Sequence, residues 1–217
     1  MFELETYVLE DEHWTGWVAH IVHGIRLLCF LMIAHTVYAF AVTVADHGDT
    51  VPVEDVANLC GLSGQGVSYV YNLEYTEIND QTCGSLSSGS RFYWVGEDPV
   101  VSDRDGLDLE RDLAWADLIE AVVWLIILAA IEIVVRLQER KITGGWLLAV
   151  MNLSKRLLYL VLIGLGVYWA SLGHWLYFWD ELLWIGGFAA IEMNVSEWRS
   201  EILEESDPIP RRDGLDG

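Results

Sequence analysis

A chain of 217 residues that is 53% apolar, carries eleven Trp and has a formal charge of −21 does not have the composition of an ordinary soluble domain. Segregation reconciles these values: long apolar runs supply the hydropathy, and 33 Asp and Glu crowd the segments between them. With ten Arg and two Lys against those acids, the charge excludes a nucleic-acid surface and gives little support for docking on anionic headgroups.

A hydrocarbon layer about 30 Å thick requires roughly 20 apolar residues per helix. Four stretches meet that length, residues 26–45, 113–136, 156–175 and 176–195, the last weakened by Asp180 and Glu181 near its start. The expected fold is therefore an all-α membrane protein of four transmembrane helices, with a small α+β insertion.

In chain order, residues 1–25 read as a cytoplasmic leader and an interfacial helix. Met1–Glu12 is acidic where a signal peptide begins basic, and no small-x-small cleavage site follows the first apolar run, so the first span is expected to stay as an anchor. The lead-in from His13 to Gly24 carries Trp14 and Trp17, rings that favour the headgroup level. The alternative is one longer, tilted helix.

After the first span, residues 46–112 form an acidic extracytoplasmic insertion with fourteen Asp and Glu. Pro52–Leu62 is predicted as a short helix, Val67–Tyr75 and Arg91–Val95 as strands, and Gly84–Ser90 as the loop between them. Asp98–Asp112 reads as a mobile acidic approach to the second span, and its acids do not have the spacing of an EF-hand loop. Cys60 and Cys83 both fall in the insertion, and an oxidising side permits a disulfide between them; two free thiols are the plainer alternative. Cys29 lies alone in the first span.

The second span ends in a loop, residues 137–155, that is flanked by Arg136 and Arg156 and contains Arg140, Lys141 and Lys155. Basic residues are retained on the cytoplasmic side, which places this loop and both termini inside and the insertion outside a plasma (inner) membrane. Trp146 opens a second lead-in like the first. Residues 196–217 form an acidic cytoplasmic tail.

The strongest organisational signal is an internal repeat. RLLCFLMIAHTVYAF from Arg26 and RLLYLVLIGLGVYWA from Arg156 share six identities in fifteen positions. EAVVWLIILAAIEI from Glu120 and DELLWIGGFAAIEM from Asp180 share a Trp and the string Ala-Ala-Ile-Glu. Both hairpins would enter from one side, a parallel repeat of the kind known among transporter halves.

The repeat also aligns charge. Arg26 and Arg156 begin their spans, and Glu132 and Glu192 end theirs, near one boundary, so the four are expected at similar depth. Burying such groups costs about 2.5–3.5 kcal/mol each at a helix centre. Ion bridges that hold the hairpins in register are one outcome, with Glu132 also within a turn of Arg136. In the other, Glu132 and Glu192 bind monovalent cations or relay protons, with Glu120 and Asp180 as the outer end of the route and Trp124 and Trp184 lining or plugging it. Twelve residues along a helix rise about 18 Å but turn about 120° off the starting face, which weakens a straight file. Small residues, Gly164, Gly166 and Ala170 on one helix and Gly186 and Ala190 on another, suit close helix packing.

Other chemistry finds no support. His35 faces Leu165 in the repeat, so a bis-His haem lacks its second ligand, and His20 with His23 lacks the further ligand a zinc site requires. No phosphate loop, nucleophile elbow or CxxC occurs. No cofactor, metal or enzymatic activity is expected. The sequence points to part of an oligomeric ion channel or transporter from a salt-adapted microbe. The alternative is a non-catalytic scaffold or accessory subunit of a larger membrane complex.

Overall fold

The computed structural model describes residues 17–54, 56, 58–87, 91–140 and 145–206. The protein is mostly helical. Its elements are α1 (Trp17–Asp46), β1 (Val51–Pro52), a 3-10 turn (Leu59–Leu62), β2 (Ser68–Tyr71), β3 (Glu74–Glu77), α2 (Cys83–Leu86), β4 (Tyr93–Trp94), β5 (Val100–Ser102), α3 (Arg104–Glu139), α4 (Trp146–Ser171) and α5 (Trp175–Ser206). Among the described residues, three helical segments are long and apolar enough to cross a membrane: His23–Asp46, Arg104–Leu137 and Trp146–Ser171. Helix α5, which holds the expected fourth span, is not among them, because Asp180, Glu181 and Glu192 interrupt its apolar run.

Contacts divide the chain into two compact units: residues up to Cys29 together with those from Val123 on, and Phe30–Val122. In the first unit, α3, α4 and α5 supply one apolar cluster. Val123, Ile127, Ile131, Val134 and Val135 of α3 meet Leu148 and Leu162 of α4, with Ile185, Phe188 and Ile191 of α5 against them. Along α4 the buried positions are Leu148, Lys155, Leu162, Gly166 and Trp169, a seven-residue spacing that keeps one stripe inward. A three-residue connection, Leu172–His174, turns α4 back into α5, with Gly173 at φ +92° taking the left-handed position that a Cβ would disfavour. Gly166 lets α5 approach closely, since a Cβ there would stand 3.1 Å from the Phe178 ring.

Where described, both expected interfacial lead-ins are continuous with the helices they precede; His13–Gly16 of the first lie outside the described residues. Trp17 begins α1 and Trp146 begins α4, with no break before Arg26 or Arg156. No proline interrupts either stretch, and helical hydrogen bonding simply continues. The longer-helix alternative describes both.

The second unit contains a five-stranded sheet of order β1-β4-β5-β2-β3, antiparallel except for the parallel pair β2–β5. Its core is Leu59, Leu62, Val67, Ile78, Cys83, Phe92 and Val101, closed by a disulfide between Cys60 and Cys83. The segment Val67–Tyr75, expected as one strand, is a hairpin: Tyr71 pairs with Glu74 across a two-residue turn in which Asn72 and Leu73 adopt φ +55° and +61°. Asn tolerates that region, and the Glu110 carboxylate accepts the Leu73 N–H at 3.0 Å to hold the second residue there.

Two further expectations change. Among the described residues of Pro52–Leu62, the last four are helical, as a 3-10 turn started by the Asn58 side chain accepting the Cys60 N–H. Asp98–Asp112 is ordered: it provides β5 and the first turns of α3. Asp103 caps that helix by accepting the Gly106 N–H at 2.9 Å, and Leu107 is fully buried against Val70 and Val95. Arg111 then donates to the carbonyls of His47 and Gly48 and to the Thr50 hydroxyl, satisfying the chain as it leaves α1.

Candidate functional site

Helix phase decides which charged side chains of the first unit are drawn inward. On α3, Glu132 adjoins Ile131 in the buried stripe and is itself buried. Arg26 of α1 donates to its Oε1 at 3.2 Å, and Arg136, one turn along α3, donates to the same oxygen at 2.6 Å. Oε2 of Glu132 is buried without a hydrogen-bond partner among the described residues. Two guanidinium groups on one carboxylate oxygen leave that oxygen no capacity for an inorganic cation.

A second cluster joins α4 to α5. Lys155 is 5% exposed and occupies the seven-residue stripe between Leu148 and Leu162, a place where a leucine would ordinarily stand. Its Nζ lies 3.1 Å from Glu192 Oε1, and the Tyr159 hydroxyl, one turn on, donates to the same atom at 3.1 Å. Lys155 and Tyr159 thus share a face of α4 addressed to one residue of α5.

The inward face of α5 reads Glu181, Ile185, Phe188 and Glu192, spaced four, three and four residues apart. Glu181 is 4% exposed, and its Oε2 accepts the Trp124 indole N–H at 3.4 Å. Eleven residues separate the two acids, a rise of about 16 Å. The Trp124 ring lies 5.0 Å from Phe188 and 6.5 Å edge-on to Tyr159, so aromatic side chains fill the stripe between Glu181 and Glu192. Such packing separates the carboxylates by apolar surface rather than water.

Of the residues singled out from sequence, the structure brings Arg26 to Glu132, and places Glu192 in a cluster with a different base. Arg156 is exposed, and its neighbour Lys155 meets Glu192 instead. Asp180 is exposed, and its neighbour Glu181 is the buried acid. Glu120 is half-buried on α3, and Trp184 is exposed beside Phe188. Lys155, Tyr159 and Glu181 were missed because the repeat was aligned on identity. The seven-residue phase through Leu148 and Leu162 points to 155, and the four-three-four phase from Glu192 points to 181.

His35 is exposed on α1, 6.4 Å edge-on from Tyr38. Trp169, fully buried, stacks on Tyr177 at 4.9 Å with His174 edge-on at 5.7 Å, closing the α4–α5 turn. Among the described residues, no group of three or more His, Cys, Asp or Glu is arranged to hold a metal ion. In the second unit, burial, followed by the charge of Asp103, pushes the Tyr69 phenol up from 10.0 to about 12.

Comparison with protein-family models, with curated proteins and with solved structures finds no match.

Proposed function

We propose that this chain is a multi-pass membrane protein that serves as a non-catalytic scaffold or accessory subunit, in which the buried charges hold helices together. The observation that carries this reading is the pairing of Glu132 with Arg26 and Arg136 and of Glu192 with Lys155. An acid neutralised by a base from a neighbouring helix has lost the field that would attract a free cation, and its burial becomes tolerable. The aromatic fill between Glu181 and Glu192 supports the same reading.

The membrane assignment draws on three helices of sufficient length and apolarity. A fourth span over residues 176–195 of α5 is supported by its packing: α4 turns back after Leu172–His174, and α5 returns along the same apolar stripe. Arg136, Arg140, Lys155 and Arg156 near the α3–α4 connection favour a cytoplasmic loop, hence cytoplasmic termini and an outer disulfide-bonded module. The acid-rich surface suits a salt-adapted source, where screening weakens self-repulsion.

Purification from native membranes in a mild detergent tests the scaffold role. The chain should co-purify in fixed ratio with another membrane subunit. Recovery of the chain with no other protein, with unchanged levels of every membrane complex in cells lacking it, would refute the role.

A second reading, an oligomeric cation or proton transporter, is favoured by one observation. Glu132 Oε2 is buried without a partner among the described residues, a carboxylate oxygen with proton-accepting capacity left.

A further inference from the structure

The net charge of −21 is not spread evenly along the chain. Residues 136–156 hold Arg136, Arg140, Lys141, Lys155 and Arg156 against Glu139, five bases to one acid and a local charge of +4. Charges farther away than about a Debye length, roughly 8 Å at physiological salt, are largely screened. A ligand at this end of α3 therefore meets the local charge and not the total. The ion pairs leave a surplus here as well. Glu132 carries one negative charge, and both Arg26 and Arg136 donate to its Oε1, so that cluster is itself positive.

A cavity of about 160 Å3 opens on α3 beside that cluster, lined by Ile133, Arg136, Leu137 and Arg140. A turn of about 100° per residue brings all four to one side of the helix. The two arginines stand four residues apart, one turn above the other, and so do the two apolar side chains. Ile133 is 46% exposed and lies outside the buried stripe of Ile131, Val134 and Val135. The apolar span ends at Leu137, so the cavity straddles its boundary, with Ile133 inside the span and Arg140 beyond it. Arg136 is held by its Nε bond to Glu132 at 2.6 Å, while its side chain remains 63% exposed. Arg140 is exposed and has no hydrogen-bond or ion-pair partner among the described residues.

We propose that this cavity binds the phosphate of an anionic membrane phospholipid, with Arg136 and Arg140 on the phosphate oxygens and Ile133 and Leu137 against the start of an acyl chain. The inference rests on the membrane reading of α3. Guanidinium groups match the paired oxygens of a phosphate, and basic cavities at the cytoplasmic ends of spans take such headgroups. A zwitterionic headgroup brings an ammonium of its own towards the arginines, and that repulsion selects against it. The apolar half of the cavity decides between a lipid and free phosphate. Ile133 and Leu137 offer an inorganic ion nothing, whereas they continue the path of a chain that descends into the bilayer. Sites that enclose a whole drug-sized molecule start at roughly 300 Å3, so about 160 Å3 suits a headgroup whose tails stay in the lipid.

Native mass spectrometry of the full chain, released from detergent micelles, tests this by counting retained lipids during titration with phosphatidylglycerol or with phosphatidylcholine of the same tails. One phosphatidylglycerol per chain should bind about ten-fold more tightly than phosphatidylcholine. Arg140→Gln should lower that affinity about ten-fold. It should leave unfolding in detergent unchanged, because the bonds of Glu132 to Arg26 and Arg136 stay in place. Arg156→Gln removes the same charge from an exposed position that does not line the cavity, and should change the affinity by less than about two-fold. Equal binding of the two lipids, or equal losses from Arg140→Gln and Arg156→Gln, would overturn the site and leave the membrane reading intact. Displacement of phosphatidylglycerol by inorganic phosphate, beyond what chloride achieves at the same ionic strength, would overturn the lipid as occupant. A chain that stays monodisperse in buffer without detergent would overturn both the site and the membrane reading.

Discussion

Replacing Lys155 with Leu separates a structural charge pair from a functional one. The side chain lies in the buried stripe of α4 between Leu148 and Leu162, so Leu fits the position by shape. What the substitution removes is the ammonium 3.1 Å from Glu192, leaving that carboxylate the hydrogen bond donated by the Tyr159 hydroxyl. Breaking a fully buried pair by removing one partner costs about 3–5 kcal/mol. The Glu192 side chain retains 27% exposure, which relieves part of that penalty, and Tyr159 supplies one hydrogen bond, so about 2–3 kcal/mol is expected here. Pairing Lys155→Leu with Glu192→Gln removes the orphaned charge, leaves a neutral amide oxygen to accept from Tyr159, and should recover most of the loss. The assay is unfolding in detergent micelles by titration with a denaturing detergent, followed by Trp fluorescence, for the parent, both single variants and the double. A coupling of about 2 kcal/mol corresponds to roughly a thirty-fold change in folding constant. Additive single effects, or a silent Lys155→Leu, would refute the reasoning.

The disulfide-bonded module offers three more tests. Tyr69 keeps its proton to about pH 12 when folded, against 10.0 in an unperturbed phenol, so its contribution to stability is complete below pH 10 and is lost as pH rises through 12. Tyr69→Phe should flatten that alkaline loss, as read by thermal unfolding across the range. Gly106→Ala would place a Cβ 2.1 Å from the Ser102 hydroxyl, which donates to the Val70 carbonyl at 2.6 Å, and should destabilise the module by about 1–3 kcal/mol, partly relieved by Ser102→Ala. Replacing Cys60 and Cys83 together with Ser opens a link across 23 residues and should cost about 3 kcal/mol, visible as a lower melting temperature that reductant no longer changes.

Much of this organisation was legible, and the failures share a cause. Apolar runs marked three of the long helices, and compartment logic joined Cys60 to Cys83, because both signals are additive along a chain. Arg26 and Glu132 each lie at the same boundary of an apolar run, which placed them at similar depth without specifying their pairing; the structure brings them together. Single-residue placement failed where identity between hairpins was followed instead of helical phase. A shift of one residue turns a helical side chain by about 100°, enough to exchange Arg156 for Lys155 and Asp180 for Glu181. In the module, local composition was outweighed by long-range partners. Leu73 holds a left-handed turn because Glu110, 37 residues later, accepts its N–H, and no window around Leu73 contains that fact. By contrast, the cap formed by Asp103 three residues before Gly106 was a local signal, hidden among the surrounding acids.

The role of the buried carboxylates is tested most directly by flux. Purified protein reconstituted in liposomes carrying a pH-sensitive dye, under an imposed proton or monovalent-cation gradient, should leak no faster than protein-free liposomes, and Glu132→Gln and Glu192→Gln should change only folding stability. Protein-dependent flux that either substitution abolishes, in variants that remain folded, would contradict the scaffold account and establish transport in its place.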